Sequence, residues 1–259
     1  MRLALWQTAS PAGDTTAGLA SLASALRTAG AAGAATLVTP EVFLPGYNHA
    51  RIAALAQRRG GDWHRAAAGL CREAGCGLVL GYAERDGAAV FNAAAAFDAT
   101  GAEIAHYRKI QLYGPREKAL YAPGEAYATF DLDGSRAAIL ICYDIEFAPH
   151  VAALAAQGVR LILVPTGNML PFTHVSTATV PAMAANHGCA IAYANCCGSE
   201  GDLTYAGGSV LAGPDGAILA IAGGAPALII AELPATTDRA RLSTQAADFR
   251  PVTAQGASR

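Results

Sequence analysis

Three separated segments of the sequence each carry a reactive residue type close to the end of an apolar run. In residues 136–144, RAAILICYD, Cys142 follows a run typical of a buried β-strand. A free cysteine has a pKa of about 8.5 and therefore needs a base, a cation or a helix N-terminus to act as a nucleophile near neutral pH. At this point Cys142 is either a small core residue or a nucleophile at the rim of a sheet.

Two other segments supply candidate partners for this thiol. In TLVTPEVFLPGY (36–47), Glu41 is flanked by apolar residues, and burial there would raise its pKa as a general base requires. In HYRKIQLYGPREKALYAPGE (106–125), a strand ends on Arg108-Lys109, and an aromatic loop holding Arg116 and Glu117 follows. One of these cations could neutralise a thiolate or stabilise an oxyanion. A solvent-facing glutamate and a surface basic cluster are the alternative interpretations.

The elements that must position these residues follow from the pattern of apolar runs. Helical patterns cover 14–29, 62–74, 147–157 and 175–187, the last with Pro181 inside it. Turn signals such as DATGAE link strands directly, as in antiparallel pairs. We therefore predict an α/β fold, an α-β-β-α sandwich of two mixed β-sheets flanked by helices. The predicted strands are 3–7, 36–43, 77–84, 90–98, 103–110, 136–144, 160–167, 190–197, 208–214, 217–222 and 227–233.

Length and composition restrict the class of protein further. The 259 residues fit a single domain, 1–259, whose polar tail from about residue 236 is expected to extend over the surface or to a partner subunit. A net charge of −2 without basic clusters predicts no nucleic-acid partner and no membrane partner. No apolar run is long enough to cross a bilayer. Six cysteines without a signal peptide indicate free thiols in the cytoplasm.

Cofactor and metal motifs are missing from the sequence. It contains no GxGxxG or Walker loop, so we expect no nucleotide cofactor. It has no CxxC motif and no pair of histidines at ligand spacing, so we expect no metal site. Cys196 and Cys197 are adjacent and are interpreted as core thiols.

Taken together, PEVFLPGY, YRKIQLYGPRE and LICYDIEF resemble, in order and spacing, the nitrilase superfamily of carbon–nitrogen hydrolases. Smaller matches extend the resemblance to about residue 234: GYAER, FN, LILVPTGN, YANCCG and GGSVLAGPDG. LYGPREKALYAPGE and VPTGNMLPF are most similar to the aliphatic and R-stereoselective amidase branch. The resemblance implies a cofactor-free amidase acting on a small-molecule amide substrate, and a homodimer or larger homo-oligomer.

The resemblance also implies roles for individual residues. Glu41 matches the general base of a Glu-Lys-Cys triad, Lys109 the residue that stabilises the oxyanion, and Cys142 the nucleophile that forms the acyl-enzyme. Glu117 matches a second glutamate that positions substrate or assists proton transfer. The backbone N–H of Tyr143 would complete the oxyanion hole. Around these residues we expect the pocket to be shaped by Tyr47, Tyr113, Tyr143, Glu146, Phe147, Asn168 and Met169.

One departure from the family pattern concerns assembly. Members commonly carry an Arg and a Glu in an RAxEN pattern, where this chain reads PAMAANHG, with Met183 and Ala185 at the charged positions. The triad is unaffected, but inferences about subunit contacts are weakened.

Other functions stay open on the sequence. The chain could hydrolyse N-carbamoyl compounds, or it could be a non-catalytic binding subunit that retains the triad. Nitrile hydrolysis is disfavoured, because Tyr143 stands where nitrilases often have Trp. A cysteine–histidine hydrolase would need His106 or His150 beside Cys142.

Overall fold

Two six-stranded β-sheets face each other in the structure, a computed structural model that describes residues 1–252. The strands are β1 (Arg2–Gln7), β2 (Thr36–Val38), β3 (Gly77–Asp86), β4 (Ala89–Phe97), β5 (Glu103–Arg108), β6 (Thr129–Leu132), β7 (Ser135–Ile139), β8 (Leu161–Thr166), β9 (Ala190–Asn195), β10 (Ser199–Glu200), β11 (Leu203–Thr204), β12 (Val210–Ala212), β13 (Ile218–Ile221) and β14 (Ala227–Glu232). The helices are α1 (Thr15–Ala31), α2 (Ile52–Leu55), α3 (Asp62–Ala74), α4 (Gly114–Leu120), α5 (Ala148–Ala156), α6 (Val180–His187) and α7 (Gln245–Asp248). Short 3₁₀ turns cover Cys142–Glu146 and Arg239–Arg241, and a π-helical turn covers Val175–Thr179.

The strand order brings several strand ends to one edge of the molecule. The first sheet runs β14-β1-β2-β3-β4-β5 and the second β13-β12-β9-β8-β7-β6. β1, β2 and β3 are parallel, and so are β7, β8 and β9. Because β4 is antiparallel to both β3 and β5, β5 runs in the same direction as β2. The residues that follow β2 and β5 therefore leave the first sheet on the same side, at the carboxyl ends of these strands.

Apolar side chains fill the space between the sheets and under the outer helices. The main core joins residues of both sheets, such as Leu5 and Ile162, with Val151 of α5 and Val180 of α6. A second core packs the other face of the first sheet against α1 and α3. Burying one such side chain stabilises the fold by about 1.5–3 kcal/mol. The layers are thus helix, sheet, sheet and helix, which confirms the predicted sandwich.

Several element boundaries differ from the prediction at places that matter for the site. The strand predicted over 36–43 ends at Val38, because Pro40 lacks an N–H and Val42 has a φ of 42°. The strand predicted over 136–144 ends at Ile139. The helix predicted over 175–187 is a π-helical turn followed by α6, with Pro181 in the first turn of α6, where the missing N–H is tolerated.

Part of the chain beyond β14 contacts the second layer, whereas the side chains of Phe249 and Val252 are exposed. Arg241 forms an ion pair of 2.5 Å with Asp215, and α7 contacts α6. Residues 253–259 of the predicted tail lie outside the described part. Among the helices of residues 1–252, none has the length and apolar character that a bilayer span requires.

Candidate active site

Glu41 stands on a strained turn directly after β2. Its backbone N–H donates to the carbonyl of Thr166 at 3.1 Å, which joins the ends of β2 and β8 across the two sheets. Gly81 of β3 supports the turn, since a Cβ at this position would come within 2.3 Å of the Pro40 carbonyl oxygen. The left-handed backbone of the β-branched Val42 costs about 1–3 kcal/mol, and such strain is concentrated at functional sites.

Lys109 follows β5 and is 1% exposed. Its Nζ donates to Oε1 of Glu41 at 2.6 Å and to Oε1 of Glu117 at 2.9 Å. Burial by itself would lower the pKa of the Lys109 ammonium, but the two carboxylates raise it well above its usual value. A buried charge needs such partners, because an unpaired ammonium in the interior costs several kcal/mol. Lys109 is therefore a fixed cation.

Glu117 lies on α4, where the sequence predicted an aromatic loop. The helix starts at Gly114-Pro115, and Pro115 suits its first turn. Oε1 of Glu117 accepts from the Tyr47 hydroxyl at 2.7 Å, and Oε2 accepts from the Tyr113 N–H at 2.7 Å. These bonds, with that from Lys109, fix the buried carboxylate in one orientation.

Cys142 is the first residue of the 3₁₀ turn that follows the end of β7, and its φ is 45°. Asp144 fixes this turn. Its Oδ2 accepts from the Ile141 N–H at 3.0 Å and the Tyr107 hydroxyl at 2.8 Å, and its Oδ1 accepts from the Gln111 N–H at 2.7 Å. Asp144 therefore connects the Cys142 turn to β5 and to the segment that carries Lys109.

The charges around the thiol favour its neutral form at rest. Burial raises the pKa of the Cys142 thiol and so does the Glu41 carboxylate, while Lys109 and the Gly167 N–H act in the opposite direction; the pKa stays well above its ordinary value. Burial also raises the pKa of Glu41 despite Lys109. Oε1 of Glu41 accepts from Lys109 and from Asn92, the latter at 2.7 Å, whereas within residues 1–252 its buried Oε2 has no hydrogen-bond partner. That oxygen is available to accept a proton.

Gly167 lies between the glutamate and the thiol. A hydrogen bond from its N–H to the Cys142 sulfur lowers the pKa of that thiol. A Cβ at Gly167 would lie 2.9 Å from Oε2 of Glu41 and 3.3 Å from the Tyr47 ring. Only a residue without a side chain leaves Glu41, Tyr47 and Cys142 at their present separations.

A cavity of about 260 Å³ opens above Cys142. This volume is slightly below the usual range for drug-sized ligands and so suits a small substrate. Its lining combines aromatic rings with one carboxylate and one amide, and it consists of Tyr47, Tyr113, Cys142, Tyr143, Glu146, Asn168, Met169, Phe172 and His174. The structure thus brings the pocket residues named from the sequence to one cavity, except Phe147, which contacts the Tyr143 ring at 4.9 Å.

Sequence reasoning missed four residues of this site. Phe172 and His174 line the cavity, and Asn92 and Gly167 contact or border Glu41. Asn92 belongs to the FN match at 91–92, and Gly167 and Phe172 belong to the VPTGNMLPF match, so these short matches were the available signal. No pattern in the sequence distinguishes His174 from ordinary loop residues.

Asn168 is held at the cavity wall by its neighbours. Its N–H donates to the Asn195 side chain at 2.8 Å, and its own amide donates to the Phe172 carbonyl at 2.9 Å. Asn195 in turn donates to the carbonyls of Asn168 and Gly207. This network orders the loop that carries Met169 and Phe172.

The two histidines of the alternative thiol mechanism are engaged elsewhere. His106 lies 2.9 Å from Glu84 and 3.2 Å from the Tyr82 hydroxyl. The ring nitrogens of His150 contact the Tyr127 hydroxyl at 2.7 Å and the Gln111 amide at 3.0 Å. Neither lines the cavity at Cys142. These contacts argue against a cysteine–histidine pair.

The remaining cysteines are buried and outside the cavity. Cys196 and Cys197 are 2% and 1% exposed, and burial raises the pKa of each thiol. Such thiols are unreactive. Met183 of α6 packs against the main core, and Ala185 faces Gly216, so the two positions of the missing charged pair are in contact with this chain's own residues.

Comparisons with known proteins identify a family to which the sequence is similar. The profile of the carbon-nitrogen hydrolase family matches residues 2–242. A protein described as hydrolase in pqqF 5′ region, from Pseudomonas protegens, is 42% identical over 202 residues, 76% of this chain and 70% of the relative. An (R)-stereoselective amidase from a Pseudomonas species is 32% identical over 225 residues, 86% of this chain and 81% of the relative.

Solved structures show the same similarity. The NitN amidase from Nesterenkonia sp. AN1 superimposes with a TM-score of 0.87 at 36% identity, covering 96% of each chain. Structures of that amidase include a mutant in complex with butyramide and a mutant with acrylamide added at the active-site cysteine. The chain therefore belongs to the carbon-nitrogen hydrolase family, as an enzyme of the amidase-like branch of the nitrilase superfamily.

Proposed function

We propose that this enzyme hydrolyses a small primary carboxamide to a carboxylate and ammonia through a thioester on Cys142. The observation that carries the proposal is the buried chain of contacts Glu41–Lys109–Glu117 beside a thiol at the base of a small cavity. The amidases among the similar proteins, one of them with butyramide bound, support a small amide as the substrate class.

In the acylation step, Glu41 takes the thiol proton on Oε2 while the Cys142 sulfur attacks the amide carbon. The raised pKa values of the Cys142 thiol and the Glu41 carboxyl suit this transfer, because the proton moves only as the new C–S bond forms. The Lys109 ammonium and the Tyr143 N–H stabilise the oxyanion. The C–N bond then breaks, and Glu41 returns the proton to the departing ammonia.

In the deacylation step, water replaces ammonia. Glu41 accepts a proton from the water as the water oxygen attacks the thioester carbon. As the C–S bond breaks, Glu41 gives this proton to the departing Cys142 sulfur, and the carboxylic acid that is released ionises to the carboxylate. Glu117 positions Lys109 and Tyr47 throughout. Glu41 transfers protons, Lys109 stabilises the oxyanion and Cys142 carries the acyl group, and the scheme uses no cofactor.

The proposal is tested by ammonia release from a panel of primary amides, N-carbamoyl compounds and nitriles. Wild type should release ammonia from small amides, and Cys142→Ala should release none. Cys76→Ala is the matched control, since it removes a buried thiol that lies just before β3 and outside the cavity. Carbon dioxide release from N-carbamoyl compounds would instead assign the enzyme to the N-carbamoyl hydrolases. Silence across the panel, with no selective labelling of Cys142 by a thiol probe, would favour a non-catalytic binding subunit.

We further propose a single domain that acts in the cytoplasm as a homodimer or larger homo-oligomer. Free buried thiols support a reducing compartment, and the assembly is expected from the family resemblance. Light scattering at several concentrations tests the assembly, and a monomer at every concentration would contradict it.

A further inference from the structure

Four carboxylates surround the nucleophile, and three of them are occupied by this chain's own donors. Glu41 accepts two hydrogen bonds, Glu117 accepts three and Asp144 accepts three. Glu146 differs. Among residues 1–252 no group donates a hydrogen bond to its carboxylate, although the side chain lines the cavity four residues after Cys142.

The position of Glu146 makes this free carboxylate notable. The residue is only partly exposed, and burial raises the pKa of its carboxyl, which the charges of His174 and Lys109 oppose. His174 lines the same cavity and its charge acts on Glu146, but within residues 1–252 the two side chains form no ion pair. A partly desolvated carboxylate without a partner is unfavourable unless a ligand supplies the missing donor.

The rest of the lining is compatible with a cation. The ring centroid of Tyr113 lies 5.3 Å from that of Tyr143 and 6.3 Å from that of Phe172, so three aromatic rings are grouped in the wall. Aromatic faces attract ammonium groups within about 6 Å. None of the nine lining residues is Lys or Arg. Arg116 lines an adjoining cavity and donates to Asn48.

Charge in the surroundings acts in the same direction. Lys109 is the cation beside the thiol, and it is already shared by two carboxylates. A substrate that carries a carboxylate would be repelled by Glu146, and the lining holds no Lys or Arg to compensate that repulsion. A substrate with an ammonium group would neutralise it.

We propose that the preferred amides carry a protonated amine on the acyl chain, and that Glu146 binds this ammonium group while the aromatic rings enclose the methylene chain. This inference rests on the proposed amidase function and makes Glu146 a specificity residue. The cavity of about 260 Å³ limits such substrates to short ω-amino amides.

Binding measured without turnover tests the inference. In the Cys142→Ala background, calorimetric titrations near pH 7 compare 2-aminoacetamide, 3-aminopropanamide and 4-aminobutanamide with the isosteric propanamide, butanamide and pentanamide. At one chain length or more, the ammonium amide should bind at least tenfold more tightly than its neutral partner, a difference of about 1.4 kcal/mol. Succinamate, which is anionic, should bind more weakly than butanamide.

Two variants assign the preference to a residue. Glu146→Gln, added to Cys142→Ala, should reduce the ammonium preference to about twofold or less, since an amide retains the shape of the side chain but not its charge. Glu73→Gln, an identical change on the exposed surface of α3, should retain the full preference. No preference at any length, no binding of any ammonium amide, or a preference that survives Glu146→Gln would each overturn the inference.

The two proposals can fail separately in these experiments. Wild-type ammonia release from neutral amides, without an ammonium preference in binding, would leave an amidase with a different specificity. An ammonium preference that depends on Glu146, in an enzyme that releases no ammonia from any amide, would overturn the amidase proposal and leave the binding assignment.

Discussion

Replacing Gly167 by alanine tests the spacing on which proton transfer depends. The added Cβ would lie 2.9 Å from Oε2 of Glu41 and 3.3 Å from the Tyr47 ring. Ordinary van der Waals contact begins near 3.4 Å, so the carboxylate oxygen must move by about 0.5 Å. The backbone of Gly167 does not have a positive φ, and alanine can therefore adopt it without strain.

The displacement should act on turnover more than on folding. Oε1 of Glu41 is fixed by Lys109 at 2.6 Å and Asn92 at 2.7 Å, so the side chain can only rotate Oε2 away from the thiol. Misplacing a reacting group by 1 Å can lower the rate by about 10²-fold, so a displacement of about 0.5 Å should lower it by about tenfold. We therefore expect kcat to fall by roughly tenfold, about 1.4 kcal/mol in the barrier.

The assay is steady-state ammonia release from a small amide, with thermal unfolding measured in parallel. Gly223→Ala is the control, because a Cβ there meets nothing within 4 Å and its φ is not positive. Gly223→Ala should match wild type in both measurements. If Gly167→Ala kept more than half of the wild-type kcat while folded, the assignment of Oε2 as the proton acceptor would be refuted.

Lys109→Ala should lower kcat by about 10²–10³-fold, because it removes one oxyanion donor, and an effect on KM alone would reassign the residue to substrate binding. His150→Gln should leave kcat near the wild-type value, since both ring nitrogens already have partners, and abolished turnover would restore a cysteine–histidine mechanism. Burial raises the pKa of Glu84, but hydrogen bonds from His106 and Arg108 outweigh it and lower that pKa from 4.5 to about 2. The stability that Glu84 contributes should be complete above pH 4.5 and lost as the pH falls towards 2. Urea unfolding should therefore show Glu84→Gln less stable than wild type at neutral pH, with the two curves converging near pH 2, and parallel curves would contradict this.

The sequence predicted the sandwich and the three places where reactive residues collect, because both depend on local regularities. Long apolar runs specify central strands, and the polar residues that follow such a run lie beyond the carboxyl end of the strand. The resemblance to a known family implied that Glu41, Lys109 and Cys142 act together. Their closeness follows from the directions of β2, β5 and β7, which the hydrogen-bonded registers show.

The details that the sequence did not predict depend on tertiary contacts. The left-handed backbones at Val42 and Cys142 oppose the preferences of their residue types, so surrounding structure must stabilise them. Phe172 and His174 reach the cavity because the Asn168–Asn195 network determines the path of their loop. Residues far apart in the chain make these contacts, and no local pattern encodes them.

The pairing of β1 with β14 has a consequence for how the chain folds during synthesis. Arg2 to Gln7 pair in register with Glu232 to Ala227, and Gln7 also bonds to the carbonyl of Gly223 and to Ser209. Contacts over such a separation form slowly, because the loop that they close is long. Until residue 232 has left the ribosome, the edge of β1 that pairs with β14 therefore stays unpaired. An edge of this kind pairs readily with other chains, so this stage of synthesis is the one most exposed to aggregation and most dependent on chaperones.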